Sequence, residues 1–269
     1  MNIREYVDKV LVVVGRSITV IAVVALATPI VFTVLLSFAN DNTIRFPPGS
    51  WGFDRYVDFF TSPVWLSSLL LSAGLALASA LIAMAVAIPA LVAILRSRLV
   101  ARAVIEQVSI LSLVIPITAY AVAMYSVYAQ VGWLGSFWGL AVAHATLALP
   151  FVMIVGAIGI RAQEREIELV AITLGASRTR AFAGITLRLA LPAFVGAFFL
   201  AFQASFEEAV LVNFLGGSGL LTLPKRILDS IQWGSEPMIT AIASTVVVAT
   251  TIATAVTLAL LQRTRRLPK

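Results

Sequence analysis

The chain is predicted to be an all-α integral membrane protein with six transmembrane helices and both termini on the cytoplasmic side. Three observations predict this. Hydrophobic residues fill 60% of the 269 positions and charged residues 12%, with a mean hydropathy of +1.00, whereas soluble domains carry roughly 25% charged residues. Uncharged runs of 22, 32 and 54 residues occupy 17–38, 64–95 and 107–160, each enough for one or two crossings of a core about 30 Å thick at about 1.5 Å per residue. With spans at 17–38, 64–95, 108–129, 137–160, 189–212 and 239–261, fifteen of the nineteen Lys and Arg residues fall on the side of the termini. The positive-inside rule assigns that side to the cytoplasm.

Composition also excludes functions. Basic residues outnumber acidic ones by 19 to 13, but their division between loops points to membrane orientation and not to a nucleic-acid partner. There is no cysteine, hence no disulfide framework and no thiolate metal site. With one histidine and no Gly-Lys-Ser/Thr phosphate loop, neither a catalytic centre, a metal site nor an ATPase site is expected in this chain.

Taken in order, residues 1–16 mix acidic and basic groups, and no small-x-small cleavage pattern ends the run that follows, so span one reads as an uncleaved anchor. The segment 40–62 holds Pro47, Pro48 and Gly49 among aromatics and reads as an outer loop. Trp51, Phe53, Tyr56 and Phe59 are placed there at the membrane interface, as an aromatic belt or as a contact for a soluble protein. Span two, 64–95, is longer than one crossing needs, so it tilts, begins along the interface or bends near Pro89. Its Ser67, Ser68, Ser72, Ser79 and alanines suit close helix packing.

The 54 uncharged residues accommodate spans three and four around a Gly-Trp-Leu-Gly-Ser hairpin at 132–136. Pro116 lies inside span three and is expected to break local backbone bonding, as a pore-lining bend or a packing kink; Tyr120, Tyr125 and Tyr128 need polar partners there. His144 in span four is expected to make a buried interhelical hydrogen bond, with a substrate or proton site as the other reading. Span five ends near Glu207 and Glu208. On a helix, neighbouring side chains point about 100° apart, so at most one of the two carboxylates aims into a pathway; a carboxylate at membrane depth is a functional candidate, and one at the edge snorkels to water. Gly216, Gly217 and Gly219 precede a short interfacial helix over 220–233. Ser235 is expected to cap span six, with Pro237 in its first turn.

The longest charged island between hydrophobic runs is 164–192. Glu164, Glu166 and Glu168 open it and Arg178, Arg180 and Arg188 close it. Two short helices are expected to meet at Gly175, in a turn requiring positive φ, with Ser177 capping the second. Ile167, Val170, Ala171 and Leu174 form one apolar face of the first helix, and Phe182, Ile185 and Leu189 form that of the second. Such a hairpin either docks on a partner protein or lies on lipid headgroups.

Glu168, Ala171, Gly175, Ala176, Ser177, Ile185, Leu187 and Pro192 resemble the "EAA" signature of binding-protein-dependent ABC importer permeases, with Leu169 and Val170 interposed between its acid and its alanine. Members of this family have the type I importer permease fold, a single transmembrane domain that here takes in residues 1–269. The resemblance implies that the cytoplasmic loop 161–188 couples to a cytoplasmic ATPase dimer, which binds ATP and Mg. It further implies a second permease subunit, a different chain; a periplasmic binding protein that delivers a small-molecule substrate; alternating access; and a bacterial inner-membrane location. Residues 143–151, Ser205–Val210, Leu223–Ile227 and 234–244 resemble the spermidine/putrescine branch in particular. The chain departs from that branch in carrying Glu207 and Glu208 for aspartates and Ile239-Thr240 where asparagine is common. Glu207, Glu208, Tyr120 and His144 are the candidate pathway residues. An importer for another small metabolite and an ion-gradient-driven secondary transporter are the alternative readings; the second would call for an inverted repeat and mid-membrane ionisable groups.

Overall fold

A computed structural model of the chain describes residues 3–41, 45–96, 104, 107, 109, 111–163, 165–234 and 237–265. Among these, every regular element is helical apart from an isolated antiparallel bridge between Ala39 and Trp51. The order is α1 (Ile3–Ser37), α2 (Asp54–Thr61), α3 (Pro63–Arg96), a 3-10 turn (Leu111–Leu113), α4 (Ile117–Val131), α5 (Phe137–Arg161), α6 (Arg165–Thr173), α7 (Arg178–Ala181), a π-helical segment (Phe182–Leu187), α8 (Arg188–Phe206), α9 (Val210–Leu215), α10 (Leu223–Trp233) and α11 (Met238–Arg265).

Among the described residues, five stretches are long and apolar enough to cross a membrane: Leu11–Ser37, Pro63–Leu95, Phe137–Arg161, Arg178–Phe206 and Met238–Thr257. They account for five of the predicted spans. The third, expected over 108–129, corresponds to α4 with 15 residues, about 22 Å at 1.5 Å per residue. Residues 108 and 110, like Glu164, Ser235 and the basic turn at 97–103, lie outside the described residues. Pro116 does not bend a continuing helix: it is the N-cap of α4, in extended geometry (φ −55°, ψ 129°). There its missing N–H costs no intrahelical bond. Span five also ends earlier than expected, because α8 stops at Phe206 and a separate short helix begins at Val210.

Two compact units are distinguished, 1–63 with 230–249 and 64–229 with 250–269. In the first, the apolar side chains of α1 from Leu11 onward are mostly exposed, as suits a lipid-facing helix. Arg55 on α2 is buried to 7% exposure. Its guanidinium donates to the carbonyls of Leu36 and Asp41 and, at 3.1 Å, to Thr240 Oγ1. Desolvation holds its pKa below the usual arginine value. Tyr56 links Ser37 (2.6 Å) and Ser244 (3.2 Å). Of the predicted interfacial aromatics, Trp51 and Phe53 are exposed and Phe59 is buried.

In the second unit, α3, α5 and α8 share a core of Ala80, Ala83, Ala87, Leu91, Ala145, Ala148, Val152, Ala190, Phe194, Ala197 and Ala201. Small side chains let these backbones approach closely, which is how apolar helices associate where lipid removes the hydrophobic drive. A Cβ on Gly159 would fall 2.4 Å from that of Ala193, and one on Gly156 would meet Leu91 and Phe194 at 2.7 and 2.8 Å. A second core joins Leu75, Ala121, Tyr128, Leu140 and Ala141 to Leu211, Val212 and Leu215 of α9. The serine stripe of α3 receives α10: Ser72 Oγ accepts from Leu223 N and Ser68 Oγ from Arg226 Nε, both at 2.7 Å.

Candidate functional site

The hairpin from Arg165 to Leu187 is built by local sequence. α6 ends in a left-handed turn at Gly175, with φ 95°, a value a side chain would strain. Gly175 N donates to Ile172 O and Ala176 N to Ala171 O, both at 3.0 Å, the double bond pattern of a Schellman stop. Ser177 then caps α7, its Oγ accepting from Arg180 N at 3.3 Å. Gly175 and Ser177 thus adopt the geometry their residue types predicted.

Burial in the hairpin differs from what apolar periodicity suggests. Glu168 is the inward residue of α6, 7% exposed, and its Oε2 accepts a 2.6 Å hydrogen bond from Thr186 Oγ1. Ile167, Val170 and Leu174 stand outward at 44%, 57% and 83% exposure, with Ala171 half-buried. On the second helix the predicted face Phe182, Ile185 and Leu189 is displaced: Ile185 is half-buried, Leu189 is exposed, and the buried positions are Ala181, Thr186 and Ala190. The step of five from Ala181 to Thr186 crosses the π-helical segment, which carries more residues per turn than an α-helix. Beyond it the buried series continues at Phe194, Ala197, Ala201 and Ser205. No periodicity drawn at 3.6 residues could have found this shift. A cleft of about 350 Å³ lies between the hairpin and α3, lined by Val92, Glu168, Leu169, Ile172, Arg178, Thr179 and Phe182. Ala176 and Pro192 are half-buried, Pro192 within the first turns of α8.

The candidate pathway residues lie apart from this hairpin. His144 on α5 is fully buried, and its Nδ1 lies 3.0 Å from Ser205 Oγ and 3.2 Å from Ser205 O. This is the interhelical bond expected, while Nε2 is buried without a hydrogen-bond partner. Tyr120 on α4 bonds Thr146 Oγ1 and, at 3.3 Å, Ala143 O. Glu207 and Glu208 do not sit on a continuous helix; they occupy the break between α8 and α9. Glu207 is exposed and accepts from Gln203 Nε2 at 3.1 Å. Glu208 accepts from the backbone N–H groups of Val210 and Leu211, placing its charge at the positive end of α9. A helix-capping role was not anticipated for it, because the usual signal is Ser, Thr, Asp or Asn immediately before the helix, and that position is Ala209. No group of three or more His, Cys, Asp or Glu side chains that could hold a metal occurs among the described residues.

Together these features define a multi-pass helical membrane protein with a charged hairpin set between two of its spans. Residues 88–266 match the family described as "binding-protein-dependent transport system inner membrane component", and the chain belongs to that family. It is 27% identical over 221 residues, 82% of this chain and 85% of the relative, to the spermidine/putrescine transport system permease protein PotC of Haemophilus influenzae. It is 35% identical over 102 residues to the putrescine transport system permease protein PotI of Escherichia coli, a stretch that spans 38% of this chain and only 36% of that relative. Its fold is similar, with a TM-score of 0.66 and 14% identity over 95% of this chain and 96% of the other, to a structure described as a bacterial ABC transporter involved in the import of the acidic polysaccharide alginate.

Proposed function

We propose that this chain is one permease subunit of an ATP-driven importer for a polyamine of the spermidine or putrescine kind. It lies in a bacterial inner membrane with six spans and cytoplasmic termini. In this reading α4 and the residues before Pro116 make up the third span. A second permease chain completes the pathway, a periplasmic binding protein delivers substrate, and a cytoplasmic ATPase dimer holding ATP and Mg supplies the stroke. The relatives named above support the substrate class, since their names refer to spermidine and putrescine transport.

The observation that carries the reading is the hairpin of residues 165–187. Its two helices turn at Gly175 with backbone geometry that leaves Ile167, Val170 and Leu174 exposed, in a segment flanked by arginines on the side assigned to the cytoplasm. Exposed apolar side chains on a charged hairpin suit a protein partner. Glu207, exposed beside a helix break, is the first group available to attract a cation.

Co-purification of the chain with an ATPase encoded beside it, followed by reconstitution with its binding protein, tests the proposal. ATP-dependent spermidine or putrescine uptake is expected. Uptake driven by a proton or sodium gradient without ATP would overturn it in favour of a secondary transporter, and ATP-driven uptake of another metabolite alone would overturn the substrate class.

A further inference from the structure

We propose that Thr186 is a positioning residue that locks the two helices of the hairpin into one rigid lever through its bond to Glu168. The inference rests on the proposed coupling role of the hairpin for its functional consequence, and on geometry alone for the lock itself.

Four observations carry it. Glu168 and Thr186 are 7% and 3% exposed, so a carboxylate and a hydroxyl have been withdrawn from water together. Burial of such groups is costly unless they are hydrogen-bonded. Their 2.6 Å separation falls within the range of short hydroxyl-to-carboxylate bonds, about 2.5–2.7 Å. The residues lie on opposite arms of the turn, Glu168 on α6 and Thr186 in the π-helical segment, so the bond closes the hairpin away from its Gly175 bend. Finally, the π-helical segment puts Thr186 there. Buried positions step by five from Ala181 to Thr186, then by four to Ala190 and by four to Phe194. An uninterrupted α-helix would have turned Ile185 inward, an apolar side chain with nothing to offer the carboxylate. π-Helical turns are rare and frequently occur at functional sites.

A glycine bend alone leaves the angle between two short helices soft. Fastened at its far end as well, the hairpin passes a displacement of α6 into α7 and α8 undiminished. Without the bond, α6 can rock while α8 stays still, so nucleotide would be hydrolysed without moving the pathway.

Two measurements test the lock. The chain has no native cysteine, so spin labels on Glu166→Cys and Ala183→Cys, both exposed, report the distance between the arms in the purified chain without any partner. A single narrow distance distribution is expected for the parent and for Thr186→Ser, which keeps the hydroxyl. A broader one is expected for Thr186→Val, which keeps the shape and removes the donor. Equal widths in all three would overturn the lock, whatever the chain transports. In vesicles holding the assembled importer, Thr186→Val is expected to raise ATP hydrolysed per substrate imported by roughly fivefold, the scale of one lost hydrogen bond, with Thr186→Ser near the parent. Parental stoichiometry in Thr186→Val, or an equal loss in Thr186→Ser, would overturn its role in coupling.

Discussion

His144 Nδ1 lies 3.0 Å from Ser205 Oγ and 3.2 Å from Ser205 O, joining α5 to the last turn of α8 inside the helical core. Ser205 is two residues before Glu207, so this bond holds the end of α8 where the chain leaves helical geometry for the Glu207–Glu208 break. Replacing His144 by Ala removes the bond and opens a void; a loss of roughly 1–2 kcal/mol is expected from the usual worth of interhelical hydrogen bonds in membranes and the added cavity. His144→Asn, which retains a donor near Nδ1, is expected to recover part of it. Thermal unfolding in detergent reads the difference, and parental stability in His144→Ala would show that the bond contributes nothing.

Gly175 has φ 95°, and its open surroundings mean that backbone strain, not a clash, limits substitution. Gly175→Asp costs about 1–3 kcal/mol of local strain and adds charge at the bend. Normal insertion into the membrane with uptake falling at least tenfold relative to ATP hydrolysis is expected, a ratio that corresponds to about 1.4 kcal/mol. Measuring both rates on one preparation checks it; unimpaired uptake counts against a docking role for the bend.

The two carboxylates at 207–208 are expected to separate under mutation. Glu207 is exposed and bonded to Gln203, whereas Glu208 caps α9 through Val210 and Leu211. Glu207→Gln is therefore predicted to weaken uptake of a cationic substrate with little change in stability. Glu208→Ala, which removes the acceptor, is predicted to cost about 0.5–2 kcal/mol, the range for a lost helix cap. Substrate concentration curves and unfolding temperatures distinguish the two. Identical effects of both changes would contradict the division of roles.

In the loop after α1, Asp41 accepts from Arg45 and from Gly49 N. The Arg45 bond, followed by that of Gly49, holds its carboxyl below the ordinary value, while Arg45 is raised in turn. A depressed carboxyl pKa contributes order above the ordinary carboxylate range and loses it as pH falls through the lowered value. Protection of the Gly49 amide, the factor by which its exchange is slowed relative to an unbonded amide at the same pH, should thus be high near neutrality and fall at low pH, and Asp41→Asn should remove that change. Protection that does not vary with pH in the parent would rule the bond out.

The membrane class, the presence of five long apolar helices, the Gly175 bend and the Ser177 cap were all legible in the sequence. Each depends on properties of a few adjacent residues: uncharged length, tolerance of positive φ, or a hydroxyl before a helix start. Glu168 could be read as the acid of a signature but not as a buried one, because apolar spacing pointed to Ile167, Val170 and Leu174. Nothing near Arg55 in the chain signalled its burial, because its acceptors come from Leu36, Asp41 and Thr240, distant in the sequence. Pro116 announced a break but not that α4 begins there, and Glu207 and Glu208 gave no sign that α8 stops just before them. The tertiary structure decided the π-helical register that turns Thr186 toward Glu168. Its physical reason is that an extra residue in a turn is tolerated only when packing on both sides satisfies the groups it reorients, and those partners lie on other helices.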